Sequence, residues 1–154
     1  MRDGGGDSVT VRPMRPDDLA ETLDMWVAAW QAAYPHIDFA ARRGWTQDRI
    51  AELESTGSHS LVALRDNRII GALVVNPDTG YLDQLVVATA DQGSGVADIL
   101  LAQARRLSPG ALDLHVNQDN ARAIRFYQKH GFITVAGDVN PRSGAPIYRM
   151  SWRP

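Results

Sequence analysis

The chain has 154 residues, 44% hydrophobic and 22% charged, with a formal net charge of −2. That length accommodates one sizeable core and not two ordinary domains, and the near-neutral balance gives no basic field for nucleic acid or an anionic membrane surface. The absence of cysteine excludes disulfides, thiolate metal sites and a cysteine nucleophile together.

In chain order, residues 1–7 are glycine-rich and charged and are expected to form a disordered tail, leaving residues 8–154 as a single domain. Ser8 to Pro13 reads as a first strand. From Asp17 the apolar residues Leu19, Leu23, Trp26, Val27 and Trp30 recur at helical spacing, with Pro16 and Asp17 supplying the start. A shorter helix, capped by Thr46, runs through Ile50 and Leu53 and stops at Gly57. LVALR (61–65) and RIIGALVV (68–75) flank a two-residue Asp66-Asn67 turn and read as a hairpin. A second turn, NPDTG, leads into a third strand, YLDQLVV (81–87). A helix from about Gly95 to Arg106 follows, then a strand ALDLHV (111–116), a helix from Asn120 to His130 closed by Gly131, and two final strands, FITVA and IYRMSW. The order β-αα-βββ-α-β-α-ββ predicts an α/β (α+β) layered domain with a mixed central sheet of about seven strands and flanking helices.

No apolar run reaches the ~20 residues that cross a bilayer, and MRDGGGDS lacks the apolar stretch of a signal peptide, so a cytoplasmic location is expected. DQGSGVADIL (91–100) places glycines at the mouth of a helix, where backbone N–H groups and the helix dipole favour a phosphate. The loop satisfies neither G-x-G-x-x-G/A, since counting from Gly93 ends on Asp98, nor the P-loop pattern. A nucleotide oxidoreductase is thereby disfavoured. In NARAIRFYQKHGF (120–132), Asn120, Ala123, Ile124 and Tyr127 share one helical face, while Arg122, Arg125 and Lys129 occupy the other. A tyrosine on a helix facing a sheet also serves simply as core.

Together the two stretches resemble the GNAT superfamily of acyl-CoA-dependent N-acyltransferases. LVVATADQGSGVADILL is similar to the family's acyl-CoA signature Q/R-x-x-G-x-G/A at Gln92, Gly95 and Ala97. NARAIRFYQKHGF is similar to N-x-x-A-x-x-F-Y-x-x-x-G-F at Asn120, Ala123, Phe126, Tyr127, Gly131 and Phe132. Gln92 stands where arginine is commoner, and Ala97 where glycine is commoner. The resemblance covers the second half closely and the first half mainly by element pattern.

The resemblance implies acetyl-CoA as co-substrate, its pyrophosphate held by backbone N–H groups of Gln92, Gly93, Ser94, Gly95, Val96, Ala97 and Asp98, with the Asp98 carboxylate turned to solvent. It implies a splayed strand whose Leu85, Val86 and Val87 bind the pantetheine arm, the Val87 N–H polarising the thioester carbonyl. Asn120, Ala123 and Tyr127 complete the cofactor site, with Tyr127 as proton donor to the departing sulfur. Three routes for deprotonating the amine stay open: His115 on the strand ALDLHV, Asp83, which by alternation shares a face with Leu85 and Val87, or water. The acceptor, a small-molecule amine or a protein N-terminus, is expected between Trp30, Tyr34, His36 and Phe39 and the late loop Asp138 to Ile147. His36, His59 and His130 have no ligand spacing with acidic residues, so no metal is expected. Exposed final strands allow a homodimer. The competing reading is a non-catalytic acyl-CoA sensor, which would keep Gln92, Gly93 and Gly95 without needing Tyr127.

Overall fold

The computed structural model describes residues 8–154, so the expected tail at residues 1–7 lies outside the described residues. Seven strands and four α-helices alternate as β1 (Thr10–Pro13), α1 (Leu19–Ala33), α2 (Arg43–Ser55), β2 (His59–Arg65), β3 (Arg68–Val75), β4 (Leu82–Val87), α3 (Val96–Leu107), β5 (Leu112–Asn117), α4 (Ala121–Lys129), β6 (Ile133–Val139) and β7 (Pro146–Trp152). This is the order that the apolar periodicity predicts. Asp66 and Asn67 both take positive φ, 53° and 62°, as the tight hairpin between β2 and β3 demands. Thr46 is not a cap. Helix α2 starts three residues earlier, and the Thr46 hydroxyl donates back to the Arg42 carbonyl at 3.0 Å from inside the helix.

The strands form two hydrogen-bonded groups, β1-β2-β3-β4 and β5-β7-β6, antiparallel within each. β3 is central in the first group and buried along nearly its whole length, which is why RIIGALVV reads as an unbroken apolar run. On one face of this group, α1 and α2 pack Leu23, Trp26, Ala29 and Ile50 against Val62, Ala72, Val74 and Val86. On the other, α3 contributes Val96, Leu100, Leu101 and Ala104 to a core shared with Ile70, Leu73, Val87, Leu114 and Met150. That core extends through both sheets. No helix among the described residues is long and apolar enough to cross a membrane.

Candidate active site

The two strand groups touch at one point and then part. A single parallel bridge, Tyr81 with Asp113, joins them, supported by the Asp113 N–H donating to the Gly80 carbonyl at 2.9 Å. Beyond it no further ladder links β4 to β5 among the described residues. In an antiparallel ladder each residue turns its N–H and C=O to the same side, and successive residues alternate. The Ala88 N–H donates to Ile70 O at 2.8 Å and Val86 stands opposite Ala72, so Val86 spends its main-chain groups on β3. Leu85 and Val87 therefore direct theirs into the gap. The Gln92 side-chain amide donates to the Val87 carbonyl there, at 3.1 Å. Of the three consecutive residues expected to offer main chain to a ligand, Leu85 and Val87 face the gap and Val86 does not.

The glycine loop closes one end of the gap. Asp91 is buried and anchored by Arg65 Nη1 at 2.6 Å, and the Ser94 hydroxyl donates to the Asp91 carbonyl at 2.5 Å. Past this anchor Gly93 and Gly95 adopt φ of +80° and +94°, a region that side chains rarely occupy. Gly95 is the N-cap of α3 and has no side chain with which to cap it; the first intrahelical bond runs from the Ile99 N–H to Gly95 O. The N–H groups of Val96, Ala97 and Asp98 are thus left pointing out of the helix mouth. A Cβ built on Gly95 would meet nothing within 4 Å. The space beside it is a cavity of about 370 Å³, lined by eleven of the thirteen residues expected to hold the cofactor. Ser94 and Val96 are the two that do not line it.

Two cations expected on the far face of α4 stand at the cavity. Arg122 and Lys129 line it, with Arg122 Nη2 3.8 Å from a Cβ built on Gly93. A helical wheel positions only the Cβ, and side chains this long reach well beyond it. Asp98 turns its half-exposed carboxylate onto His130 Nε2 at 2.6 Å.

Tyr127 stands at the inner end. It is 7% exposed, its ring meets Phe126 and Phe132 edge-on at 5.3 Å each, and no described residue hydrogen-bonds its hydroxyl. Burial pushes its pKa well above the ordinary phenol range, so the group is held as a proton-bearing donor. Asn120 is the N-cap of α4 rather than its first helical residue, and its side-chain oxygen accepts the Ala123 N–H at 3.2 Å.

A second cavity, of about 180 Å³, adjoins the first, and Trp30, Leu85, Asn120, Ala123 and Tyr127 line both. Its own walls are Asp83, Gln84, His115, Asn117, Asn140 and Ile147 among others. Asp83 reaches it by a route that strand alternation does not give. The β3–β4 register steps from Val74 opposite Gln84 to Val75 opposite Leu82, so Asp83 is the extra residue of a bulge and turns toward α2. There Oδ1 meets Arg49 Nη2 at 2.9 Å and Oδ2 accepts from the Gln84 amide at 3.2 Å. A carboxylate so engaged is a poor choice of base. His115 is exposed, and its Nδ1 lies 2.7 Å from the Tyr81 hydroxyl.

Of the four residues expected to seat the acceptor, Trp30 alone lines either of these two cavities. Phe39 is 4% exposed and packs into the α1-side core against Trp26 and Trp30. The Tyr34 hydroxyl donates to Asp119 Oδ1 at 2.8 Å, tying the end of α1 to the β5–α4 loop, and His36 is exposed at its edge. From the late loop, Asn140 and Ile147 reach the cavity.

Comparison with known proteins shows the family. A family model described as acetyltransferase (GNAT) family matches residues 19–132. A mycothiol acetyltransferase of Brachybacterium faecium is 33% identical over 150 residues, covering 87% of this chain and 45% of that protein. The peptidyl-lysine N-acetyltransferase YjaB of Salmonella typhimurium is 27% identical over 140 residues, covering 86% of this chain and 89% of that protein. Among solved structures, the PaiA N-acetyltransferase from Thermoplasma acidophilum in complex with coenzyme A superposes with a TM-score of 0.80 at 18% identity, covering 96% of this chain and 99% of that one. The chain spans about half the length of two of the curated relatives it matches, 54% in one and 45% in the other.

Proposed function

The chain belongs to the acetyltransferase (GNAT) family, and from that premise we propose that it transfers an acetyl group from acetyl-CoA to a primary amine, which attacks directly while both substrates are bound. The observation that carries the reading is the position of Tyr127, a buried phenol with no partner among the described residues, at the boundary between the two cavities.

The residues of the larger cavity fit coenzyme A. The free N–H groups at the mouth of α3, with Arg122 and Lys129 facing them, suit a pyrophosphate, because dipole, hydrogen bonds and charge act together. The main-chain groups that Leu85 and Val87 turn into the gap suit a pantetheine arm and its thioester laid alongside β4, in the manner of an added strand. Acetyl-CoA supplies an activated acyl carbon and a sulfur leaving group. The Val87 N–H is the donor for the acyl oxygen, and Tyr127 donates to the sulfur as negative charge builds there. With no cysteine in the chain, direct attack by the amine requires no protein thiol. The amine occupies the smaller cavity, and its proton leaves on that side, where the His115 ring and solvent both have access. The peptidyl-lysine and mycothiol relatives make an amine borne on a larger molecule a natural acceptor. Acetyl-CoA consumption that depends on added amine and yields the N-acetylated product tests the reading.

A further inference from the structure

His115 has two ring nitrogens in different surroundings. Nδ1 lies 2.7 Å from the Tyr81 hydroxyl, with the rings tilted against each other at 5.7 Å, and Nε2 has no partner among the described residues. His115 lines the smaller cavity and Tyr81 does not, so the bond to Tyr81 anchors the imidazole from behind. The charged neighbours are Asp83 across the cavity, Arg149 opposite His115 in the β5–β7 register, and Asp113 two residues earlier on the same strand face. None of them is hydrogen-bonded to the ring.

We propose that Tyr81 fixes His115 in the tautomer with its proton on Nε2, which makes His115 a hydrogen-bond donor to the acceptor substrate and leaves water to deprotonate the amine. The contact is open to solvent, so its direction follows from the relative strengths of the two groups. A neutral imidazole has one donor and one acceptor nitrogen, and a phenol offers one proton. A phenol O–H is a stronger donor than an imidazole N–H, and a bare imidazole nitrogen is a stronger acceptor than a phenol oxygen, so at 2.7 Å Tyr81 donates to Nδ1. Burial pushes the Tyr81 pKa up to about 12, so the phenol keeps the proton it donates.

The consequence is a substrate class. A donor in a cavity this small rewards an amine that carries a carbonyl or hydroxyl oxygen on a neighbouring carbon, as in an amino amide, a peptide N-terminus or an amino alcohol, over a plain alkylamine. This extension rests on the acyl-transfer reading, whereas the tautomer does not.

Two measurements on the full chain test it. In a sample labelled with nitrogen-15 at histidine, long-range proton–nitrogen correlation at mildly alkaline pH reads each neutral tautomer directly, and His115→Gln assigns the signal among the four histidines. The parent should show His115 protonated on Nε2 with Nδ1 bare, and Tyr81→Phe should shift its Nδ1 signal toward a mixture of tautomers. A proton on Nδ1 in the parent, or an identical signal in Tyr81→Phe, overturns the proposal. In turnover assays, glycinamide and 2-aminoethanol, compared per unprotonated amine, should exceed propylamine by about 10-fold in kcat/KM, one hydrogen bond's worth, and His115→Ala should erase that preference. A preference that survives His115→Ala refutes the donor role. If no amine turns over while acetyl-CoA binds, the acyl-transfer reading fails and the nitrogen spectrum alone decides the tautomer.

Discussion

Replacing Gly95 by aspartate places a carboxylate at the mouth of α3, where the pyrophosphate is proposed to sit. The added Cβ meets nothing within 4 Å, so no clash opposes folding. What remains is the left-handed backbone, φ +94°, which costs a side-chain-bearing residue about 1–2 kcal/mol. Gly144 provides a matched control, with φ +75°, open space at its Cβ and a place in the late loop away from the larger cavity. The new charge acts on the ligand. Two like unit charges about 5 Å apart repel by about 3 kcal/mol at an effective dielectric of about 20, and solvent screening at an open cavity brings this to roughly 2 kcal/mol. CoA affinity should therefore fall about 30-fold in Gly95→Asp and stay at the parental value in Gly144→Asp, with similar modest losses of melting temperature in both. Calorimetric titration with CoA at low salt, alongside thermal melts, measures both quantities. A folded Gly95→Asp that binds CoA like the parent would show that the loop is only a turn.

Tyr127→Phe should lower kcat by about 10- to 100-fold with little change in acetyl-CoA affinity, because the ring stays and only the donor is lost; equal single-turnover rates would make Tyr127 a core residue. Arg122→Ala and Lys129→Ala should each weaken CoA binding about 3- to 10-fold at low salt, and titrations at high salt should bring them toward the parent. Asp18 is held by Arg12 at 2.6 and 3.0 Å and by the Arg15 N–H at 2.7 Å, which lower its pKa from 3.8 to about 2. A depressed carboxylate stabilises the fold fully above its unfolded value and loses that contribution as pH falls through the folded one. The stability gap between parent and Asp18→Asn should therefore be constant above pH 4 and close toward pH 2; denaturant melts across that range will show it.

The element order was legible because each element carries its own period. Leu23, Trp26 and Trp30 mark α1, and the two turn residues Asp66 and Asn67 mark the hairpin. The glycine loop and the Tyr127 helix were legible as a pair of local patterns. What sequence reasoning missed is non-local or depends on side-chain length. Asp83 was placed by strict alternation, and the bulge that turns it toward Arg49 leaves no local mark. Arg122 and Lys129 were assigned to the far side of α4 because a helical wheel ignores their reach; a search for cations near a phosphate loop would have found them. Phe39 counted as a substrate wall because aromatic residues in a loop look available, yet burial against Trp26 and Trp30 takes it into the core. The pairing of Tyr81 with His115 joins residues 34 positions apart and has no sequence signal at all.

We propose direct transfer from acetyl-CoA to an amine beside Tyr127. Its most direct test mixes the protein with acetyl-CoA and a panel of amines, peptide N-termini and lysine peptides included, and follows free thiol, acetylated acceptor and protein mass in one time course. Direct transfer releases thiol only when an acceptor is present, matched mole for mole by acetylated product, with the protein mass unchanged throughout. Saturable binding of acetyl-CoA with no turnover on any acceptor, or an acetylated protein that forms and decays at the rate of turnover, would contradict it.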